Sequence, residues 1–378
     1  MSTSTGYRRL AFASLTAVSL FVAACGQGAA SPSATASAAP SAAASESAPA
    51  SESPSAAAAV PAPFDAGPVK VALVRQLGSG DYFEQWLAGA EAQAEKLGIE
   101  LLTSDARGDN AAQATNLETA INQGVKAIII DHGQTETLTP GIDKALAANI
   151  PVVAFDANAN NPKVPQIEQS DAQLAQLALD QLVTDTGGEG DIAYVYVAGF
   201  APLDRRNEVF EQVLAANPGL KNVATFGTVS ESTAAEVQTQ AAAVLTANPG
   251  IKAIFAPYDE FAKGATLAVT AAGLQDKVKV YGADVSTADI DVITADGSPW
   301  VATAGTDPGN VGRVAVRAAA LLAAGEAVDP QIVVNPALIT QQFLRDNAVT
   351  TIEQLGEKLP ALDTPELVTA PWFESLGQ

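Results

Sequence analysis

The sequence is poor in the residue types that carry most metal-site and nucleophile chemistry. It contains one cysteine, Cys25, one histidine, His132, and one methionine. Zinc sites need clusters of Cys or His ligands, a cysteine nucleophile needs a free thiol, and a Ser-His-Asp triad would have to use His132. We therefore expect neither a metal site nor a disulfide in the folded part of the chain.

Basic residues are scarce as well. The chain has 20 Lys and Arg residues against 42 Asp and Glu residues, which gives a formal net charge of −22. Nucleic acids and anionic lipid surfaces attract basic proteins, so this charge argues against both as partners. Beyond the first 25 residues, no segment has the roughly 20 consecutive apolar residues that a membrane helix needs.

Residues 1–25 predict an export signal. Arg8 and Arg9 give a basic start, Leu10 to Val22 is apolar, and small residues precede Cys25. The pattern resembles a bacterial lipobox, in which Cys25 becomes lipidated; the alternative is an ordinary signal peptide with an incidental cysteine. Residues 26–66 are almost entirely Ala, Ser and Pro, so they predict a disordered linker.

Strand and helix patterns alternate over the remaining chain, which is long enough for two domains. Val69 to Val74 is a short β-branched run typical of a buried strand, and apolar residues from Phe83 to Leu97 recur at helical spacing. Ile99 to Thr103 is the next strand, and similar units follow as far as Gly325. This alternation predicts an α/β fold with parallel sheets, whose ligands bind beyond the carboxyl ends of the strands.

Polar side chains follow several of these strands, where a ligand would bind. Asp156 and Asp284 lie at abrupt strand exits with no helix to cap, so we favour ligand binding for both. A carboxylate can hold two neighbouring hydroxyl groups, which suits a sugar or polyol. For Asp131 with His132, for Asp259 and for Asp307, helix capping is at least as good an interpretation.

The start of the first predicted helix offers aromatic side chains. Tyr82 lies off the apolar face of that helix and is the better candidate for a wall against a ligand. Phe83 shares the core spacing, and Trp86 is predicted to be a core residue.

Four blocks of sequence resemble type I solute-binding proteins of ABC transporters, of the ribose- and galactose-binding kind. They are VKVALV with DYFEQWLAGAEAQAEKLGIEL, GVKAIIID with IDKALAANIPVVAFD, IKAIFAPYDEFAKGATLAV, and VKVYGADVSTADI. The resemblance runs from Val69 to about Thr340 and implies two Rossmann-like domains with parallel sheets, joined by a three-strand hinge. With the residues above, it gives a predicted ligand site of Tyr82, Phe83, Asp156, Asn158, Arg206, Tyr258, Asp259, Asp284 and Thr306.

The resemblance also implies where the chain passes between the two domains. The three crossovers fall near Gln169–Asp171, Gly305–Asp307 and Asn335–Pro336. They give a first domain of residues 68–169 and 307–335, and a second of residues 170–306 and 336–378, which ends in a tail with Trp372 and Phe373.

The implied function is that of an extracytoplasmic substrate-binding lipoprotein of an ABC importer. We expect a monomer, anchored to the membrane at Cys25, that closes on a monosaccharide or polyol-like ligand beside an ABC permease, with no cofactor and no enzymatic activity. Ribose binders have arginine at Ala157, asparagine at Tyr258 and glutamine at Thr306, so these departures favour a modified sugar or a less sugar-like ligand over ribose. The alternatives are a receptor that feeds a sensor or signalling partner, and a binder of nucleosides or other non-sugar molecules.

Overall fold

Short β-branched runs form the strands, and the segments with helical periodicity between them form helices that cover the sheets. The computed structural model describes residues 58–362, 364 and 367–376. The predicted signal peptide with Cys25, and the predicted linker as far as residue 57, lie outside the described residues. In chain order the strands are β1 (Val69–Arg75), β2 (Ile99–Asp105), β3 (Ala127–Asp131), β4 (Val152–Phe155), β5 (Gln166–Gln169), β6 (Glu189–Val195), β7 (Gly219–Phe226), β8 (Ile251–Ala256), β9 (Lys279–Ala283), β10 (Trp300–Gly305), β11 (Gln331–Val334) and β12 (Ala337–Thr340).

The helices lie between successive strands, except at the end of the chain, where three of them follow the last strand. In chain order they are α1 (Asp81–Lys96), α2 (Asn110–Asn122), α3 (Thr135–Ala147), α4 (Asp171–Thr186), α5 (Ala201–Ala216), α6 (Thr233–Ala247), α7 (Asp259–Ala271), α8 (Thr287–Thr294), α9 (Pro308–Ala323), α10 (Gln341–Asp346), α11 (Ile352–Lys358) and α12 (Phe373–Leu376).

The strands form two sheets of six. The order in one is β11-β5-β4-β3-β1-β2, and in the other β12-β10-β9-β8-β6-β7. We call the first sheet with α1–α3 and α9 the first lobe, and the second sheet with α4–α8 the second lobe. All pairings are parallel except that of β12 with β10, which is antiparallel. The predicted fold class, two Rossmann-like α/β units of the type I periplasmic binding protein fold, is confirmed.

The chain passes between the two sheets three times, after β5, after β10 and after β11. The sequence patterns did not predict β5, β11 or β12. Each has only four residues, like β4, but none of them is a wholly apolar run such as the one that marks β4.

Glycines let the two helices beside the first sheet touch through their backbones. A Cβ atom on Gly89 of α1 would lie 2.1 Å from the carbonyl oxygen of Gly309 in α9, and one on Gly312 would lie 2.2 Å from that of Trp86. Trp86 is completely buried and stacks on Phe155 with ring centroids 5.4 Å apart. Its interpretation as a core residue is confirmed.

Both ends of the described chain pack on the first lobe. Phe64 is buried, and its ring lies 4.9 Å from that of Trp372, whose Nε1 donates to Glu326 just after α9 at 2.8 Å. The prediction of disorder is therefore wrong for residues 58–66, because Phe64 gives that segment an apolar anchor. The tail likewise differs from the predicted grouping with the second domain, since Asn310 of α9 also donates to the carbonyl of Leu362.

Replacing Trp372 by alanine should destabilise the protein, because it removes a buried ring and the hydrogen bond to Glu326. Substitutions of this kind cost roughly 3–5 kcal/mol of unfolding free energy. Urea titration followed by circular dichroism measures the change. Leu367→Ala is the matched control, since Leu367 is 41% exposed and its loss should change stability by less than about 0.5 kcal/mol. Equal stability of Trp372→Ala and the native protein would contradict the docking of the tail.

Candidate functional site

A cavity of about 50 Å³ lies between the two lobes, at the carboxyl ends of the strands. Each lobe lines it with residues that directly follow strands or begin helices, which is where open α/β sheets bind ligands. The first lobe contributes Gln76, Leu77, Tyr82, Phe83, His132 and Gln169, and the second contributes Phe200, Pro202, Leu203, Arg206, Val229, Tyr258 and Asp284.

Arg206 is buried and binds two carboxylates of the second lobe. Its Nε donates to Asp171 at 2.7 Å, and its two terminal nitrogens donate to Asp284 at 2.9 and 3.2 Å. One of these nitrogens also donates to the carbonyl of Pro257 at 2.7 Å. Burial alone would lower the pKa of Arg206, but the charges of Asp284 and Asp171 raise it, so the guanidinium remains charged. This cluster joins the start of α4, the start of α5 and the end of β9.

The neighbouring Arg205 binds across the cleft. It donates to Asp171 in its own lobe at 2.7 Å and to Asp156, which follows β4 in the first lobe, at 3.1 Å. Only Oδ1 of Asp156 has this partner; Oδ2 is buried and has no hydrogen bond within the described chain. Burial, reinforced by the negative charge of Asp171, raises the pKa of Asp156 to about 8. Asp156 therefore has an oxygen available to a ligand.

A third charged group lies behind the first-lobe wall. Asp131 is completely buried at the end of β3 and accepts from Nε of Arg75 at 2.7 Å, while Nδ1 of His132 lies 2.7 Å from its other oxygen. Although burial opposes ionisation, the charge of Arg75 and the hydrogen bond with His132 lower the pKa of Asp131. The Arg75 guanidinium also donates to the carbonyl of Phe83 at 2.9 Å, which fixes the start of α1.

Aromatic rings form much of the cavity wall. Phe83 packs edge-on against Tyr82 and His132, with centroids 5.7 and 5.0 Å away, and lies 6.2 Å from Tyr258 of the other lobe. The hydroxyl groups of Tyr82 and Tyr258 are buried and have no hydrogen-bond partner within the described chain. Buried polar atoms without partners are costly, so these two hydroxyls and Oδ2 of Asp156 are candidates for hydrogen bonds to a ligand.

The two lobes also contact each other at the rim of the cleft. The backbone N–H of Tyr82 donates to Asp259 of α7 at 3.2 Å, and that of Thr287 donates to Gln85 of α1 at 3.2 Å. Lys263 of α7 donates to Asp81 of α1. The lobes thus enclose the cavity in this structure.

Five of the nine predicted ligand residues line the cavity: Tyr82, Phe83, Arg206, Tyr258 and Asp284. Asp156 lies next to it through its pair with Arg205. Ligand contact by these residues remains a prediction.

The other three predicted residues are placed differently. Asn158 is exposed, and its Oδ1 accepts from the backbone of Asn160 at 3.0 Å, so it stabilises its own turn. Thr306 is buried and donates to Gln169 at 2.5 Å, which positions a residue of the wall. Asp259 is buried beneath Tyr82 rather than facing the cavity. Thr306 and Asp259 therefore support wall residues, and none of the three lines the cavity.

The structure also decides between ligand binding and helix capping. Asp307 caps α9 by accepting from Gly309 at 2.8 Å and Asn310 at 3.3 Å, so the capping interpretation is confirmed there. Capping is wrong for Asp259, because Tyr258 occupies the cap position of α7. It is also wrong for Asp131, because α3 begins after Gln134.

Sequence reasoning missed most of the apolar wall and Gln169. Gln76 and Leu77 directly follow β1. The loop after the first predicted strand was the sequence signal that could have located them. Gln169 was missed because the four-residue β5 was not predicted. No pattern singled out the remaining residues, Phe200, Pro202, Leu203 and Val229.

Within the described residues, no group of His, Cys, Asp and Glu side chains has the arrangement of a metal site. The same part of the chain contains no helix that is both long and apolar enough to span a bilayer.

Comparison with known proteins identifies the class of this site. A family model described as a periplasmic binding protein domain matches residues 71–327. The ribose import binding protein of Escherichia coli K12 is 29% identical over 277 residues, which is 72% of this chain and 90% of that protein. The D-apiose import binding protein of Actinobacillus succinogenes is 30% identical over 237 residues, or 60% of this chain and 74% of that protein.

Solved structures give a similar result. The 5-methylthioribose transporter solute-binding protein of Thermotoga lettingae, in complex with 5-methylthioribose, is 46% identical, with a TM-score of 0.80. That match covers 82% of this chain and 98% of the other. A sugar ABC transporter protein of Yersinia enterocolitica has a TM-score of 0.82 at 29% identity, covering 85% and 99% of the two chains.

The two strand-end aspartates should differ sharply in what they contribute to stability. Asp284→Ala leaves the buried guanidinium of Arg206 with one carboxylate instead of two, which should cost about 3 kcal/mol of unfolding free energy. Asp156→Ala, the matched control, should cost less than about 1 kcal/mol, because Arg205 is one-third exposed and keeps Asp171. Urea unfolding of ligand-free protein at pH 7 measures both; equal losses would contradict the structural role of Asp284.

Proposed function

Because the chain belongs to the periplasmic binding protein family that serves sugar ABC importers, we propose that its ligand is a ribose with a small apolar substituent at C5, such as 5-methylthioribose. The family membership makes the protein an extracytoplasmic sugar-binding subunit that works with an ABC permease, and not an enzyme. The identity of the ligand, the membrane anchor and the oligomeric state belong to the proposal.

The proposal rests on one observation: the cavity wall has a few free polar atoms and a separate apolar part. Few polar atoms of the described residues at or beside the cavity lack a partner, and they include the hydroxyls of Tyr82 and Tyr258, Oδ2 of Asp156 and Nε2 of His132. Leu77, Leu203 and Val229, with Phe200 and Pro202, add an apolar part to the wall. A hexose or polyol has a hydroxyl on nearly every carbon, and burying one against these side chains without a partner costs free energy. A pentose whose C5 hydroxyl is replaced by a thioether avoids that cost.

A thioether suits the apolar wall in a second way. Sulfur is polarizable and makes favourable contacts with aromatic rings, and the wall contains Phe83, Phe200 and two tyrosines. The structure with 46% identity over most of this chain holds 5-methylthioribose, which supports the same class of ligand.

We further propose that the protein is a monomer tethered by a lipid on Cys25, with the lobes opening and closing about the three crossovers. The basic and apolar segments before Cys25 and the small residues beside it support the anchor. The rim contacts of Tyr82 with Asp259 and of Lys263 with Asp81 are among those that opening would break.

Isothermal titration calorimetry against a panel of ligands tests the proposal. We expect 5-methylthioribose to bind tighter than ribose by roughly 10- to 150-fold, which corresponds to about 1–3 kcal/mol for one buried apolar group. Val229→Thr, nearly isosteric but polar, should reduce this preference, while Val223→Thr on the exposed surface should not. Equal affinity for ribose and 5-methylthioribose would contradict the proposed ligand, and tighter binding of 5′-methylthioadenosine would indicate a nucleoside site instead.

The anchor has its own test. Cys25→Ala should shift the protein from the membrane to the soluble fraction after cell fractionation, without changing its ligand affinity, because Cys25 precedes the folded body by tens of residues. Ser31→Ala is the control and should stay with the membrane. Continued sedimentation of the Cys25→Ala protein with membranes would rule out the lipid anchor.

A further inference from the structure

His132 is the single histidine of the chain, and it lies in the cavity wall in a strained backbone conformation. Its φ angle is +59°, in the left-handed region that a non-glycine residue adopts at a cost of about 1–3 kcal/mol. The next residue, Gly133, has φ +120°, so the chain turns sharply directly after β3. Strain of this kind persists where the surroundings hold it, and it concentrates at binding sites.

The surroundings of His132 fix its ring. Phe83 and Phe155 pack on it at nearly right angles, with centroids 5.0 and 5.2 Å away. Its backbone N–H donates to the carbonyl of Phe155 at 2.9 Å, and its own carbonyl accepts from Gln113 at 2.9 Å. Nδ1 is held by Asp131, which Arg75 holds in turn. The backbone, the ring faces and one ring nitrogen therefore all have partners.

Nε2 is the remaining group, and it makes no hydrogen bond to any described residue. Because Nδ1 faces the buried carboxylate of Asp131, Nε2 lies on the opposite edge of a ring that lines the cavity. The arrangement of carboxylate, imidazole and free nitrogen fixes both the orientation of the ring and the proton on Nδ1. This geometry suits a hydrogen bond to a ligand.

Charged groups reach His132 from several elements. Asp131 on β3 and Asp156 after β4 favour the imidazolium, while Arg206 on α5 opposes it. Arg75 on β1 is paired with Asp131. Burial also opposes the imidazolium, but the hydrogen bond and the charge of Asp131 outweigh these effects and raise the pKa of His132 above its usual value. Asp156 itself ionises in an overlapping pH range, with a pKa of about 8.

We propose that His132 is a ligand-positioning residue, whose imidazolium is oriented by Asp131 and donates from Nε2 to an oxygen of the bound sugar. This inference rests on the proposed sugar-binding function but not on the identity of the C5 substituent. The direction in which ligand affinity changes with pH follows from this hydrogen bond. Affinity is highest below the pKa of His132 and falls as pH rises through it, because the charged donor is lost. Ligand binding must then raise that pKa.

The single histidine makes the test unambiguous. Protein labelled with ¹⁵N-histidine should show one imidazole ring by NMR, with Nε2 protonated at pH 6, and saturation with 5-methylthioribose or ribose should raise the pKa of His132 by about one unit. By calorimetry, His132→Gln should weaken binding at pH 6 by roughly ten- to a hundredfold and flatten the pH dependence. Asp156→Asn should keep the fall of affinity with rising pH but move its midpoint to lower pH, because the charge of Asp156 favours the imidazolium; this separates His132 from the neighbouring carboxyl.

Several results would overturn the inference. A His132 pKa that ligand does not change, or equal affinities of native and His132→Gln protein at pH 6, would exclude the positioning role and leave sugar binding intact. A loss of affinity in His132→Phe with no change in pH profile would reduce the residue to packing. If the native protein binds neither sugar at any pH, both the inference and the proposed function fail together.

Discussion

A buried guanidinium shared by two carboxylates is the interaction on which the cleft depends. Arg206 reaches Asp171 at the start of α4 and Asp284 at the end of β9, so one side chain joins the first crossover to the strand exits of the second lobe. Neither aspartate could be buried as an ion alone, since an unpaired buried charge costs several kcal/mol. The need to pair these buried charges therefore fixes where Arg206 and Asp284 lie in the second-lobe wall.

Because buried charges must be paired, few polar atoms of the cleft remain available for hydrogen bonds to a ligand. The carboxylate of Asp131 is bound by Arg75 and His132, and that of Asp284 by Arg206 and Gln169. One oxygen of Asp156 is bound by Arg205. A cleft in a chain with a net charge of −22 thus presents only a few unpaired polar atoms beside an apolar wall. The proposed preference for a sugar with one apolar end rests on this small number of unpaired polar atoms.

Sequence reasoning predicted the fold and part of the site, and its misses have physical causes. Strand and helix periodicity gave the α/β alternation. Strand-end placement singled out Asp284, and the start of the first helix singled out Tyr82; both line the cavity. Sequence reasoning could not predict that Asp284 is held by Arg206, because the partners lie 78 residues apart and meet only in the folded second lobe, where α4 packs against both α5 and β9. The return of Trp372 to Phe64 was equally hidden, since the contact depends on the path of the whole tail.

The central claim is that the cavity holds a pentose with its hydroxyls toward Asp156 and the two tyrosines and its C5 substituent toward the apolar wall. A crystal structure of the complex with 5-methylthioribose tests this most directly, because the sulfur can be located by its anomalous scattering. We expect the sulfur beside Leu203 and Val229, with a sugar hydroxyl on Oδ2 of Asp156. Sulfur beside Asp156, or a ligand bound outside the cleft, would contradict it.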